Sequence, residues 1–144
     1  MRRRRWPPAA AVVLCLAAGL VAWRVGPGAG GEPDRTVVVT MRHSRFEPAR
    51  LAVAPGERVR FVLRNTDPID HEFILGDAAV QRRHEQGRER HHHGDVPGER
   101  SVAAGQEVAT IYAFPPGPDG LSLEFACHLP GHYAYGMHGS VRVA

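Results

Sequence analysis

The stretch CHLPGHYAYGM, residues 127 to 137, sets Cys127, His132 and Met137 at even five-residue intervals, with Pro130, Gly131 and Gly136 turning the backbone between them. A thiolate, an imidazole and a thioether form a donor set suited to copper. Zinc would prefer more Cys or His, and hard cations would ask for carboxylates. A trigonal copper site needs one further imidazole, and DPIDHEFILGD offers His71 at the start of an apolar run that reads as a strand. In a sandwich, that strand end can sit beside a loop remote from it in sequence. His128 and His138 adjoin two of the loop residues; strand alternation turns His128 away from the metal, and both are expected at the surface.

The N-terminus explains why the thiol needs a partner. Arg2, Arg3, Arg4 and Arg5 precede the uncharged run Ala9 to Trp23, and a Gly/Pro-rich linker follows. That is the layout of an export signal with its positive end held in the cytoplasm. A spanning helix needs about 20 apolar residues, more than this run supplies. Trp6 and Trp23 nevertheless bracket it as interfacial anchors would, Arg24 can snorkel, and no small-x-small cleavage site precedes the linker. The expectation is an exported protein, periplasmic or on the outer face of the cytoplasmic membrane, held there by this segment unless it is cleaved. Outside the cytoplasm cysteines usually pair. Here Cys15 lies in the apolar run and Cys127 far from it, so no intrachain disulfide is expected. An unpaired exported thiol is open to oxidation unless something ties it up, and a metal would do so.

Charge excludes another class of function. The net charge of +3 comes from the N-terminus: from Glu32 onward there are 13 arginines, no lysines and 15 acidic residues. The folded part is therefore not a basic body seeking nucleic acid. The 144 residues divide into a signal or anchor segment (1–25), a linker (26–35) and one domain (36–144). Within the domain, TVVVTM, RLAVAP, RVRFVLRN, HEFILG, EVATIYAF, LSLEFAC and GSVRVA carry β-branched runs or period-two alternation, with turn signals such as Pro55-Gly56 between them. This predicts an all-β, antiparallel sandwich. Residues 77–100 break the pattern with a polar, histidine-rich surface loop and a short helix expected around Ala79 to Glu85. His84, His91, His92 and His93 in that loop offer a second, weaker and unselective copper site.

With those residues in view, the chain resembles the cupredoxins, blue (type 1) copper proteins of the plastocyanin/azurin kind. Its C-x4-H-x4-M spacing is most similar to the rusticyanin, sulfocyanin and auracyanin branch. The resemblance runs from about Val37 to Val143 and includes FEPARLAVAPGERVRFVLRN. It implies a Greek-key sandwich, which here would follow the hydrophobic helix expected from the N-terminal apolar run. It also implies one copper ion, with His71, Cys127 and His132 as strong equatorial ligands and Met137 as the weak axial one. Where many members carry Asn or Ser after the first histidine to brace the cysteine loop, this chain has Glu72.

The implied function is one-electron transfer between Cu(II) and Cu(I), with a redox protein as partner. His132 would be the electron port, inside an apolar docking collar of Leu129, Pro130, Tyr133 and Tyr135. The alternative is an exported copper-handling protein, for tolerance or delivery, that uses the same site and the His-rich loop. Enzymatic activity is not expected: Ala126 rather than His precedes Cys127, and the only His-x-His lies in the HHH run.

Overall fold

The computed structural model describes residues 31–87, 96–117 and 120–144, and Glu32–Ala144 forms one compact unit. The apolar N-terminal segment and His91, His92 and His93 lie outside the described residues. Within those residues, no helix is long and apolar enough to cross a membrane.

Among the described residues, nine strands and one helix follow in the order β1 (Arg35–Met41), β2 (Phe46–Glu47), β3 (Arg50–Val53), β4 (Arg58–Asn65), β5 (His71–Gly76), α1 (Ala78–Glu85), β6 (Glu99–Val102), β7 (Glu107–Ala113), β8 (Ser122–Ala126) and β9 (His138–Val143). They build two sheets, ordered β2-β1-β4-β7 and β3-β9-β8-β5-β6. Alternation decides which side chains enter the space between them. Val59, Phe61, Leu63 and Asn65 of β4 point inward, as do Val39 and Met41 of β1, Leu123 and Phe125 of β8, and Val141 and Val143 of β9. β5 is buried at five of its six positions, because α1 covers the face that would otherwise meet water.

The sandwich is as expected, but its sheets are mixed rather than purely antiparallel. β1 pairs with β4 in parallel, and β3 with β9. The cause is connectivity. β2 runs against β1, and the excursion through β3 in the second sheet reverses the chain once more before it returns as β4, so β4 runs with β1. β3 in turn lies beside the last strand, joining the two ends of the domain sequence in one sheet. The segment expected as a surface loop at 77–100 also carries regular structure in its described residues. Asp77 caps α1 by accepting from the N–H groups of Ala79 (2.8 Å) and Val80 (3.0 Å), and Glu99 and Arg100 already belong to β6.

Four phenylalanines lock the sheets together. Phe73 and Phe125 stack at 5.3 Å, Phe46 meets Phe125 edge-on at 5.2 Å, and Phe61 lies 5.4 Å from Phe73. Each such pair contributes roughly 0.5–1.5 kcal/mol beyond the apolar area it buries. This core lies directly beneath the metal-ligand candidates. β8 ends at Ala126, one residue before Cys127, and β9 begins at His138, one residue after Met137, with Ala126 opposite His138. β5 lies on the other side of β8, antiparallel to it, so its first residue, His71, emerges at the same end of the sheet. One sheet edge thus delivers all four candidates.

Gly139 sits opposite Phe125, and a Cβ there would meet that ring and fall 2.6 Å from the Ala49 carbonyl oxygen. Gly139→Ala should therefore destabilise the domain by roughly 1–3 kcal/mol, the usual cost of overpacking, read as a lower denaturation midpoint with an unchanged slope.

Candidate metal centre

The loop between β8 and β9 is tied up by its own backbone. The Cys127 N–H donates to the Met137 carbonyl (3.1 Å), and the Met137 N–H donates to the His132 carbonyl (3.0 Å). His132 N–H reaches the Leu129 carbonyl at 3.0 Å, and Gly136 N–H the Tyr133 carbonyl at 2.8 Å. Gly131 and Gly136 have φ of +86° and +89°, values that residues with a side chain adopt only at a cost. Cys127, His132 and Met137 are thereby fixed to one another before any ligand binds.

Cys127, Met137 and His71 are fully buried, while His132 is half-buried. His132 Nδ1 lies 3.2 Å from Cys127 Sγ and 3.2 Å from His71 Nδ1, and the three donor atoms all fall within 4.8 Å of one another. Among the described residues this is the single cluster of three or more Cys, His and acidic residues so arranged. A tetrahedral ion with bonds of about 2.0–2.3 Å to nitrogen and sulfur holds such donors about 3.2–3.6 Å apart. The observed separations fit. They fit the donor chemistry too, since both rings turn Nδ1 into the cluster and no carboxylate enters it.

Two features around the cluster were not anticipated from the sequence. The first is Asp67. Its Oδ2 lies 2.9 Å from His71 Nε2, and the carboxylate also accepts the backbone N–H groups of His43 (2.7 Å) and Ser44 (2.8 Å). His43 and Ser44 have φ of 52° and 51°, left-handed values that point two successive N–H groups at one anion. Burial pushes the Asp67 carboxyl up, but the hydrogen bonds from Ser44, His71 and His43 outweigh it and hold the group below the usual carboxylate range. An ionised carboxylate only accepts, so a proton on Nε2 would satisfy this contact and leave Nδ1 to the cluster. The signal was present as an acid four residues before His71 in NTDPIDH, but nothing in the sequence connects it to residues 43 and 44.

The second feature is the role of Glu72. Its backbone N–H donates to Cys127 Sγ at 3.3 Å. That bond needs no particular side chain, so the missing Asn or Ser leaves this contact to the cysteine intact. Further support comes from Asn65, whose side chain donates to the carbonyls of Ile69, Val102 and Ala103 and accepts from the Asp67 N–H.

The remaining candidates sort to the other side of the loop. His128 turns away from the cluster, as alternation predicts. It is half-buried rather than a plain surface residue, with Nε2 2.7 Å from Gln81 Oε1 of α1. Its ring stacks between His84 (5.9 Å) and Tyr133 (5.5 Å), and Tyr133 stacks on the exposed His138 (5.0 Å). The Tyr133 hydroxyl donates to Glu124 at 3.1 Å. His84 is buried with Nε2 3.4 Å from Glu99 Oε2, so it lies within the fold rather than in an open chelating loop. Of the expected collar, Leu129 is half-buried and packs against the core, whereas Pro130 and Tyr135 are exposed, Tyr135 at 75%.

Comparison with known proteins agrees with this fold. The family model for a cupredoxin-like domain matches residues 11–110, a span that stops short of the Cys127 loop. The copper-resistant cuproprotein CopI of Rubrivivax gelatinosus is 41% identical over 121 residues, covering 81% of this chain and 71% of that protein. The CopI of Pseudomonas aeruginosa is 31% identical over 150 residues, covering 81% and 80%. Among solved structures, the chain superposes on auracyanin B with a TM-score of 0.61 at 20% identity, covering 79% of this chain and 91% of that one. It superposes on the dithionite-reduced auracyanin of Roseiflexus castenholzii with a TM-score of 0.63 at 16% identity, covering 78% and 99%. At those identities the likeness is one of fold.

Burial raises the Cys127 thiol from about 9 to about 11, against the opposing pull of the N–H groups of Glu72 and Leu129. A raised pKa means the folded metal-free protein holds this proton more tightly than the unfolded chain. Its stabilising contribution is then complete below pH 9 and disappears as pH rises through about 11. Metal-free protein should lose on the order of 2 kcal/mol across that interval, measured by denaturant titration, and Cys127→Ser should remove that part of the loss.

Proposed function

Because this chain belongs to the cupredoxin-like family, we propose that it binds one copper ion through His71, Cys127 and His132, with Met137 as a weaker fourth donor, and that it serves copper resistance outside the cytoplasm. The observation that carries the site is the meeting of two imidazole Nδ1 atoms and one thiol sulfur within 4.8 Å. The resistance role is supported by the relatives, both described as copper-resistant cuproproteins. Bound there, copper would supply one-electron exchange between Cu(II) and Cu(I).

The chain's own residues set the terms of that exchange. Gly131, Gly136 and the loop's internal hydrogen bonds hold Cys127, His132 and Met137 in place, so little has to move when charge changes. The Phe46, Phe73 and Phe125 layer keeps water from the sulfur, and the Glu72 N–H withdraws charge from it. The thiol must give up its proton on binding, so uptake of metal strengthens as pH rises.

A second reading, shuttling electrons to a redox protein, is favoured by the position of His132. It is the one nitrogen donor of the cluster that is not fully buried, and exposed Pro130 and Tyr135 flank it. An apolar rim around an imidazole edge docks a partner briefly. Both readings take the domain as exported and need no substrate, so we assign no enzymatic activity.

Adding Cu(II) to residues 32–144 should give an intense visible thiolate-to-copper band, and Cys127→Ser should abolish it; wild-type protein that stays colourless would sink the assignment. Reversible reduction with copper retained favours the shuttle, whereas ready release of Cu(I) to a chelator favours handling. Because Leu129 packs inward, Tyr135 is the better probe of docking. Tyr135→Glu should slow electron self-exchange between oxidised and reduced copies about tenfold by placing like charges face to face, with the band unchanged, as measured by NMR line broadening.

A further inference from the structure

The Asp67 carboxylate is more than a structural anchor for its loop. We propose that Asp67 is a positioning residue for the metal centre, selecting the Nε2–H form of His71 and supplying a fixed negative charge that favours Cu(II) over Cu(I). The inference rests on the copper reading of His71, Cys127 and His132 given above.

Three observations carry it. His71 Nε2 is 2.9 Å from Asp67 Oδ2, and the carboxylate is only 8% exposed, so water competes little for either group. The carboxylate cannot swing away, because the N–H groups of His43 and Ser44 hold it at 2.7 and 2.8 Å and the Asp67 N–H is itself held by Asn65. The opposite ring nitrogen of His71 is the one that faces the cluster, 3.2 Å from His132 Nδ1.

The chemistry follows from those contacts. An imidazole with its proton on Nδ1 would point a hydrogen at the metal position and could not donate a lone pair there. A carboxylate at Nε2 removes that form, because it can only accept. It also makes the ring a stronger donor, since charge drawn toward the proton on Nε2 is shared through the ring with Nδ1. A full negative charge one ring-width from the metal stabilises the more highly charged ion. The clamp joins the two sheets as well. His43 and Ser44 lie between β1 and β2 in the first sheet, whereas His71 opens β5 in the second. The position of the first imidazole is therefore set from across the sandwich rather than from the Cys127 loop.

Two variants of the full chain test this. Asp67→Asn keeps the shape and one acceptor but removes the charge. It should shift the ratio of Cu(II) to Cu(I) affinity about tenfold toward Cu(I), read as a reduction potential about 59 mV higher. It should also lower Cu(II) affinity about 10–100-fold in competition with a chelator. Asp67→Ala removes the acceptor altogether. In metal-free protein, nitrogen NMR should then show His71 exchanging between tautomers where the wild type shows a single Nε2–H form. An unchanged potential in Asp67→Asn, or a wild-type His71 carrying its proton on Nδ1, overturns the proposal while leaving the copper site standing. Colourless wild-type protein overturns both. If Asp67→Ala does not fold, the wild-type tautomer and the potential of Asp67→Asn still decide the matter.

Discussion

Two imidazole nitrogens and a thiol sulfur meet at 3.2 Å, an arrangement that one cation can satisfy at all three atoms at once. Without a metal, hydrogen bonds among the thiol and the two rings can link the three groups, and a metal would replace those protons. Much of the remaining architecture around this site follows from sustaining that arrangement. β8 is the middle strand of the three, paired with β5 on one side and β9 on the other. Its position brings an isolated histidine and a compact loop to the same edge. The phenylalanine layer beneath supplies the rigidity that keeps the donors from relaxing apart.

How much of this could be read from the residues alone depends on the range of the interaction involved. Cys127, His132 and Met137 announce themselves because an eleven-residue loop makes their proximity a local matter. His71 was legible for a different reason: the donor set lacked one imidazole, and His71 stands at the start of an apolar run remote from the loop. Period-two alternation in RVRFVLRN gave β4 its inward face without error. The parallel pairs were not legible, because alternation carries no direction and only the crossings between sheets determine it.

The misses around the site share a cause. Asp67 acts through the left-handed pair His43–Ser44, some two dozen residues earlier, and left-handed geometry at non-glycine positions leaves no mark in composition. His84 looked like part of an open chelating loop because its neighbours are polar, yet α1 packs on β5 and turns that one position inward. Leu129 read as a docking residue and packs instead against the core. In each case a residue's local company suggested solvent, and a distant element decided otherwise.

The rings outside the metal centre have a bearing on how this loop can change. His128, Tyr133 and His138 each follow one of the three donors in the chain, so donors and stacked rings form two interleaved sets one residue out of phase. Losing or gaining a single residue between Cys127 and Met137 would exchange members of the sets, driving stacking rings inward and donors toward solvent. Substitutions can drift along this segment, but its length is held from both faces at once. The outer stack works as a ruler for the inner site.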